Sequence, residues 1–345
     1  MTGSPYITQP RRETPRIMLL VLLALLPGIV AHWWLFGPGI WVSLLLCSLF
    51  AIGFESLALL MRNLPIGFYL RDNTALVTAW LLALSMPTLA PWWLYLVGVF
   101  FAIIVAKHLY GGMGQNLFNP AMVGFAVLIL SFPVQMTQWP APAALAAHVP
   151  SLTESFDLVF AGQGSLSIDA YTSATPLDSL KTQLRAGTAF DDIIGQAIFG
   201  HVGGTGGELV ALMFLAGGLL LLALRLITWH IPVAFLGAMA LTAGLIQLIE
   251  PGPQAGILFH WAAGGAMLGA FFIATDPVSA ASTPRGKLIY AAGAGFLTVI
   301  IRVYGNLPDG VAFAILLMNI AAPLIDRYTQ PRVFGHAGRK GKGSR

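Results

Sequence analysis

The chain has 345 residues, 57% hydrophobic and only 9% charged, with a mean hydropathy of +0.79. A soluble domain carries about 25% charged residues, so the composition excludes a water-soluble enzyme and reads as an integral membrane protein. The net charge of +4 gathers at the termini and reports topology, not nucleic-acid binding. A lone cysteine, Cys47, excludes a disulfide framework or a cysteine-ligated cluster within the chain, and the seven scattered histidines suggest no metal site.

At the start, Arg11, Arg12 and Arg16 precede an apolar run from Ile17 to Phe36. That run is long enough to span a bilayer, and no small-residue cleavage site follows, so it reads as an uncleaved first helix. Ten apolar segments follow one another at 17–36, 40–61, 74–90, 91–109, 117–135, 207–228, 232–250, 255–274, 287–303 and 309–326. Several are short or interrupted by Gly and Pro, as in discontinuous helices. The expected fold is all-α and polytopic, in two similar halves. Residues 1–135 form one membrane half of about five helices, 136–206 a long loop, 207–328 the second half, and 329–345 a basic tail.

The charges test this count. Ten spans put both basic termini on one side, and alternation puts Arg62, Arg71, Lys107, Arg225, Arg285 and Lys287 there too. Only Lys181, Arg185 and Arg302 fall opposite. The positive-inside rule makes the common side the cytoplasm, and nine or eleven spans would split the termini. The 136–206 loop is then outside. It carries Glu154, Asp157, Asp169, Asp178, Asp191 and Asp192, and shows no obvious regular structure; loops of this length are usually functional.

A weak internal repeat supports two halves. Ser85–Pro87, Tyr110 and GGMGQNLFNPAMVGFAV in the first half match Thr275–Pro277, Tyr304 and GNLPDGVAFAILLMN in the second. Within the first copy, Gly111, Gly112 and Gly114 allow positive φ and close backbone approach. Asn116 follows, and Asn119–Pro120 is a good cap and first-residue pair for a helix. Asp276–Pro277 offers the same pairing. Two readings fit the stretch. It is a turn between packed helices, or a helix start whose N–H groups receive an anionic or electron-rich ligand.

Few charges lie in the predicted spans. Glu55 sits in the middle of the second, while Asp72, Lys107, Asp276, Arg302 and Asp326 lie near span ends. Intramembrane carboxylates are candidates for proton or ion transfer; the alternative for each is a paired or snorkelling residue. Trp33, Trp34, Trp92, Trp93 and Trp229 mark interfacial belts. His108, His201, His230 and His260 read as structural. The loop stretch Asp169–Leu177, DAYTSATPL, is the one long polar segment. Pro176 keeps Thr175 extended. By its residues alone this reads first as a Ser/Thr/Pro turn, and second as a hydroxyl presented for modification.

Long stretches resemble a known family: RIMLLVLLALLPGI, KHLYGGMGQNLFNPAMVG, SFPVQM, SATPLDSLKT, WHIP, GAMLGAFFIATDPVSA, PDGVAFAILLMN and APLIDRYTQPRVFGH. The chain is similar to D subunits of the Rnf (Rsx) ion-translocating electron-transport complex, relatives of the B subunit of the sodium-pumping NADH:quinone reductase. The resemblance covers essentially the whole chain. It implies FMN joined to Thr175 through a phosphoester, placed by a flavin transferase that reads Asp169, Thr172, Ser173 and Ala174. Ser173 stands where that pattern prefers Gly. It implies a second, non-covalent flavin, riboflavin, for which Gly111, Gly112, Gly114, Asn116 and Asn119 are the candidate residues. It also implies a bacterial inner-membrane location, both termini cytoplasmic, with the A, B, C, E and G subunits and membrane lipid as partners. The expected function is electron relay between NADH and ferredoxin coupled to cation or proton movement, with Glu55 and Asp276 as candidate ion path. A passive transporter and an assembly scaffold without redox role are the competing classes.

Overall fold

The computed structural model describes residues 14–161, 170–188, 190–201, 204–249 and 255–330. Asp169, Arg11, Arg12 and the basic tail beyond Gln330 lie outside the described residues.

Each of the ten apolar segments holds a helix. The first half contains α1 (Thr14–Phe36), α2 (Gly39–Met61), a short α3 (Ile66–Leu70), α4 (Thr74–Leu84), α5 (Trp92–Phe100) and α6 (Pro120–Ser131). α5 runs on as a π-helical stretch, Phe101–His108, where Leu109 N–H donates to Ile104 O at 3.0 Å. The 136–206 region contributes to α7 (Pro133–Met136), α8 (Leu152–Ala161), α9 (Pro176–Arg185) and α10 (Phe190–Ile194). The second half holds α11 (Gly207–Ala223), α12 (His230–Ile249), α13 (Ile257–Ala262), α14 (Ala266–Leu268), α15 (Pro284–Tyr304) and α16 (Val311–Thr329). The eighth apolar segment is the broken one: α13 and α14 are separate, and α14 continues as a π turn over Gly269–Ile273. α1, α2, α12, α15 and α16 are long and apolar enough to cross a membrane; α4, α5 with its π extension, α6 and α11 are apolar but shorter.

These helices are hydrophobic nearly all round. They bury one side and leave Trp34, Leu241, Leu248 and Ile249 largely exposed, as lipid-facing side chains are. Small residues bring the helices together. A Cβ at Gly217 of α11 would lie 2.0 Å from Ala24 O of α1, and one at Gly295 of α15 would lie 2.2 Å from Phe235 O of α12. Backbones this close give the dispersion contact that holds helices together in lipid.

The long loop differs from its expectation of little regular structure. It is folded. α8 opens on a capping box, in which Ser151 N–H donates to Glu154 Oε2 at 2.7 Å and Glu154 N–H to Ser151 Oγ at 3.3 Å. Two short strands, β1 (Trp139–Pro140) and β2 (Thr172–Ser173), pair antiparallel, Trp139 opposite Ser173 and Pro140 opposite Thr172. The sequence hid this because the loop's elements are short and their local signals do not outweigh its polar composition.

The expected helix start at Asp276–Pro277 is also corrected. Asp276 closes a turn, accepting from Val278 N–H at 3.2 Å and Ser279 Oγ–H at 2.7 Å. The next helix begins at Pro284, capped by Thr283, whose Oγ1 accepts from Gly286 N–H at 3.0 Å. Asn119 does cap α6, accepting from Met122 N–H at 3.2 Å. Its counterpart in the second half is Asp309, beside Val311 N–H at 3.3 Å at the start of α16.

Candidate cofactor site and buried charges

Thr175 is the residue before α9. It is extended, with φ −69° and ψ 156°, because Pro176 bars it from helical geometry. Its Oγ1 accepts from Asp178 N–H at 3.2 Å, so Thr175 is the cap of α9. The side chain is half-buried, not exposed as a surface turn would be. α9 is amphipathic. Leu177, Leu180 and Leu184 face a small core with Ile193, Phe199, Phe259 and Ala263, so the helix lies against α13.

Polar contacts fix it along the other edge. Lys181 Nζ donates to Leu307 O at 2.6 Å, and Arg185 donates to Asn306 Oδ1 at 2.7 Å and Gly305 O at 3.3 Å. Burial, and next the Arg185 charge, hold the Lys181 pKa below its ordinary value against the pull of Asp309 and Asp178. Two glycines let the helix start come down. A Cβ at Gly204 (φ +124°) would sit 2.4 Å from Pro176 Cγ, and one at Gly264 (φ +64°) would meet Asp309 Oδ2 at 2.5 Å and Leu177 Cδ1 at 2.7 Å.

Below Thr175 lies a cavity of about 230 Å³. Its wall draws on both halves: Phe36 of α1, Phe125 of α6, Phe214 of α11 and Val311 of α16. Ser173, Ala174 and Thr175 form part of its rim, and His32, Ser85, Thr205 and Asp309 are its other polar side chains. A mostly apolar pocket with a few convergent polar groups suits a planar aromatic ligand. The Asp309 corner is held by Arg302, whose Nε donates to Asp309 Oδ1 at 2.8 Å. Arg302 also donates to His260 O at 2.5 Å and Ala263 O at 3.1 Å, and Gly265 N–H donates to Asp309 Oδ2 at 2.8 Å. Arg302, near a span end, fits the alternative of a paired residue: it is paired with Asp309, and buried.

The remaining candidates lie elsewhere. Glu55 and Lys107 are both 3% exposed, and Lys107 Nζ donates to the two Glu55 oxygens at 2.8 and 2.9 Å and to Thr74 Oγ1 at 3.0 Å. His108 Nε2 is 3.1 Å from Glu55 Oε2. The π turn places Lys107 and His108 side by side toward α2. Gly111, Gly112 and Gly114 all have positive φ, at 119°, 97° and 84°, and Arg62 lies against the first two, donating to Gly111 O at 2.8 Å. Asn116 is buried and donates to Phe118 O at 3.0 Å. Asn119 is buried at the junction of the halves. Its N–H donates to Asn319 Oδ1 at 3.1 Å, and its Nδ2 to Ile273 O at 3.3 Å. None of Gly111, Gly112, Gly114, Asn116 or Asn119 lines the cavity under Thr175. Glu55 and Asp276 belong to different polar clusters. Among the described residues no group of three His, Cys, Asp or Glu side chains is placed to hold a metal.

Ser173, Ala174 and Thr175, which the resemblance singled out, line the cavity, whereas sequence reasoning foresaw no cavity there and missed His32, Gly264 and the Arg302–Asp309 pair. The spacing of Leu177, Leu180 and Leu184 was the available signal for α9.

Fold and site together define a polytopic helical membrane protein with an apolar cavity between its halves, roofed by its own folded loop. The chain belongs to the NQR2, RnfD, RnfE family, whose model matches residues 1–335. It is 51% identical to the D subunit of the ion-translocating oxidoreductase complex of Escherichia fergusonii over 351 residues, covering 99% of each chain. The D subunits of the same complex from Vibrio atlanticus and Vibrio cholerae are 49% and 48% identical, each over 97% of this chain and 99% of the relative.

Proposed function

We propose that this chain is a membrane subunit of an ion-translocating oxidoreductase complex, and that it relays electrons through FMN esterified to Thr175. The relatives' shared name supports the complex. The observation that carries the flavin is the Thr175 hydroxyl at the rim of an apolar cavity and at the start of a ten-residue helix.

The residues present fit such a group. A phosphate on Thr175 Oγ1 meets the N–H groups and positive dipole end of α9. The mostly apolar cavity beside it would admit a flat ring. When bound, a flavin supplies reversible electron transfer. Leu177, Leu180 and Leu184, with Lys181 and Arg185, fix the attachment point against the second half of the chain and would hold a flavin tethered there.

The same reading puts the loop outside a bacterial inner membrane and the termini in the cytoplasm. It includes maturation by a flavin transferase that reads Asp169, Thr172, Ser173 and Ala174, and contact with the A, B, C, E and G subunits. It also includes riboflavin as a second, non-covalent flavin, with Gly111–Asn119 as the candidate seat. The positive-φ glycines there support close backbone approach, although Arg62 lies against Gly111 and Gly112. Glu55 and Asp276 are the candidate ion-path carboxylates, and Glu55 must exchange its Lys107 partner to serve.

The test is in-gel flavin fluorescence of the denatured chain co-expressed with a flavin transferase, wild type beside Thr175→Ala. A fluorescent band present in the first and absent in the second is the expected result. No band in either, with a positive control fluorescent, sinks the flavin reading and leaves a transporter or scaffold.

A further inference from the structure

His32 lies on α1 one turn before Phe36 and stacks on that ring, with centroids 4.8 Å apart and planes at 33°. The imidazole lines the cavity beneath Thr175. Its Nδ1 is buried and meets no hydrogen-bond partner among the described residues. Nitrogens of His230 and His260 share that condition, but neither residue lines the cavity.

A buried polar atom without a partner costs free energy, and native structures keep such atoms rare. Three other polar side chains of the cavity lining are engaged. Ser85 Oγ donates to Leu81 O at 2.7 Å, and Thr205 Oγ1 donates to Ala197 O. The Asp309 oxygens accept from Arg302, Gly265 and Val311. His32 is different. Among the described residues no other side chain holds Nδ1, so the ring can place its proton where a ligand offers an acceptor. Phe36 holds the ring plane, and the apolar wall strengthens any hydrogen bond made there.

We propose that His32 is a cofactor-binding residue that donates a hydrogen bond to the polar edge of the flavin ring delivered into this cavity by the Thr175 tether. The proposal rests on the flavin reading above. A donor on that edge favours the reduced ring, because reduction adds negative charge there, and so raises the midpoint potential.

The test uses the assembled complex with its transferase. In-gel fluorescence first establishes the tether in wild type, His32→Phe and His32→Gln. Spectroelectrochemical titration then reads the flavin component that is absent in Thr175→Ala. Phe keeps a ring against Phe36 without a donor, and Gln restores one. The expected result is a Thr175-dependent component whose preference for the reduced state falls about tenfold in His32→Phe, which is about 30 mV for two electrons, and recovers in His32→Gln. A wild-type midpoint in His32→Phe, or equal shifts in Phe and Gln, overturns the proposal while leaving the flavin intact. Absence of Thr175-dependent fluorescence in wild type overturns the flavin reading itself and takes this proposal with it. Should His32→Phe fail to accumulate, His32→Leu replaces it under the same criteria.

Discussion

Thr175 has two roles that substitution separates. It caps α9, and it is the proposed ester site. Thr175→Ala removes both, so α9 loses about 1 kcal/mol of local stability along with the fluorescence. Thr175→Ser keeps a capping hydroxyl. Hydrogen exchange across 176–185 is expected to be wild-type in Ser and faster in Ala; equal exchange in the two denies the cap any weight. Glu55 poses a different question at the same scale. A carboxylate inside a span reads as a proton or ion carrier, but this one is held by Lys107, whose position 52 residues away gave no sign of contact. Breaking a buried pair on one side costs about 3–5 kcal/mol, because the remaining charge stays uncompensated. Glu55→Gln is therefore expected to lower thermal stability in detergent steeply, and Glu55→Gln with Lys107→Met to recover much of it. If the double variant regains stability but not ion transport, Glu55 carries ions as well as structure. If it regains both, the pair is structural.

At the scale of elements, the membrane helices were legible and the loop was not. An apolar run of about twenty residues announces a helix by composition, and all ten runs hold one. α4 and α6 came out shorter than drawn, ending at Leu84 and Ser131, since Ser85–Pro87 and Pro133 end their helices. α8 and α9 are only ten residues each and depend on tertiary contacts. The capping box at Ser151 and Glu154 and the leucine spacing of α9 were present in the sequence, but such short signals do not outweigh a polar composition. α8 gives a pH prediction. Hydrogen bonds from Ser151 N–H, then from His148 and the Ser151 hydroxyl, hold the Glu154 pKa below the ordinary 4.5. A depressed carboxylate contributes stability above its unfolded pKa and loses it as pH falls through the folded value. The start of α8 is thus expected to stay protected at and above the ordinary 4.5 and to fray only at more acidic pH, read by exchange at 152–161. Glu154→Gln should remove that pH step; a step that persists in Gln belongs to another group.

At the scale of the molecule, the cavity under Thr175 and the buried asparagines lie where the halves meet, and no local pattern reveals a meeting. The cavity takes Phe36 and Phe125 from one half and Phe214 and Val311 from the other. A single polar knot ties the halves further in. Asn319 of α16 accepts from Asn119 N–H at 3.1 Å and donates to Ser279 O at 3.0 Å and to Tyr290 Oη at 2.9 Å. Both asparagines are almost fully buried. In lipid no water replaces a lost partner, so each stranded group costs about 1–3 kcal/mol before relaxation. Asn319→Ala strands Asn119 N–H and Ser279 O at once, and is expected to destabilise the chain by about 3 kcal/mol. Asn119→Ala removes the α6 cap and the bond to Ile273 O, but its backbone N–H still reaches Asn319. The two substitutions act on one hydrogen-bond network, because the Asn119 cap positions the N–H that Asn319 accepts, and should be non-additive by about 1 kcal/mol, measured as thermal unfolding of both singles and the double. Strict additivity would mean that the Asn119 side chain does not position that N–H. Coupling of the expected size would mean that the cap of α6 and the contact between the halves act as one unit.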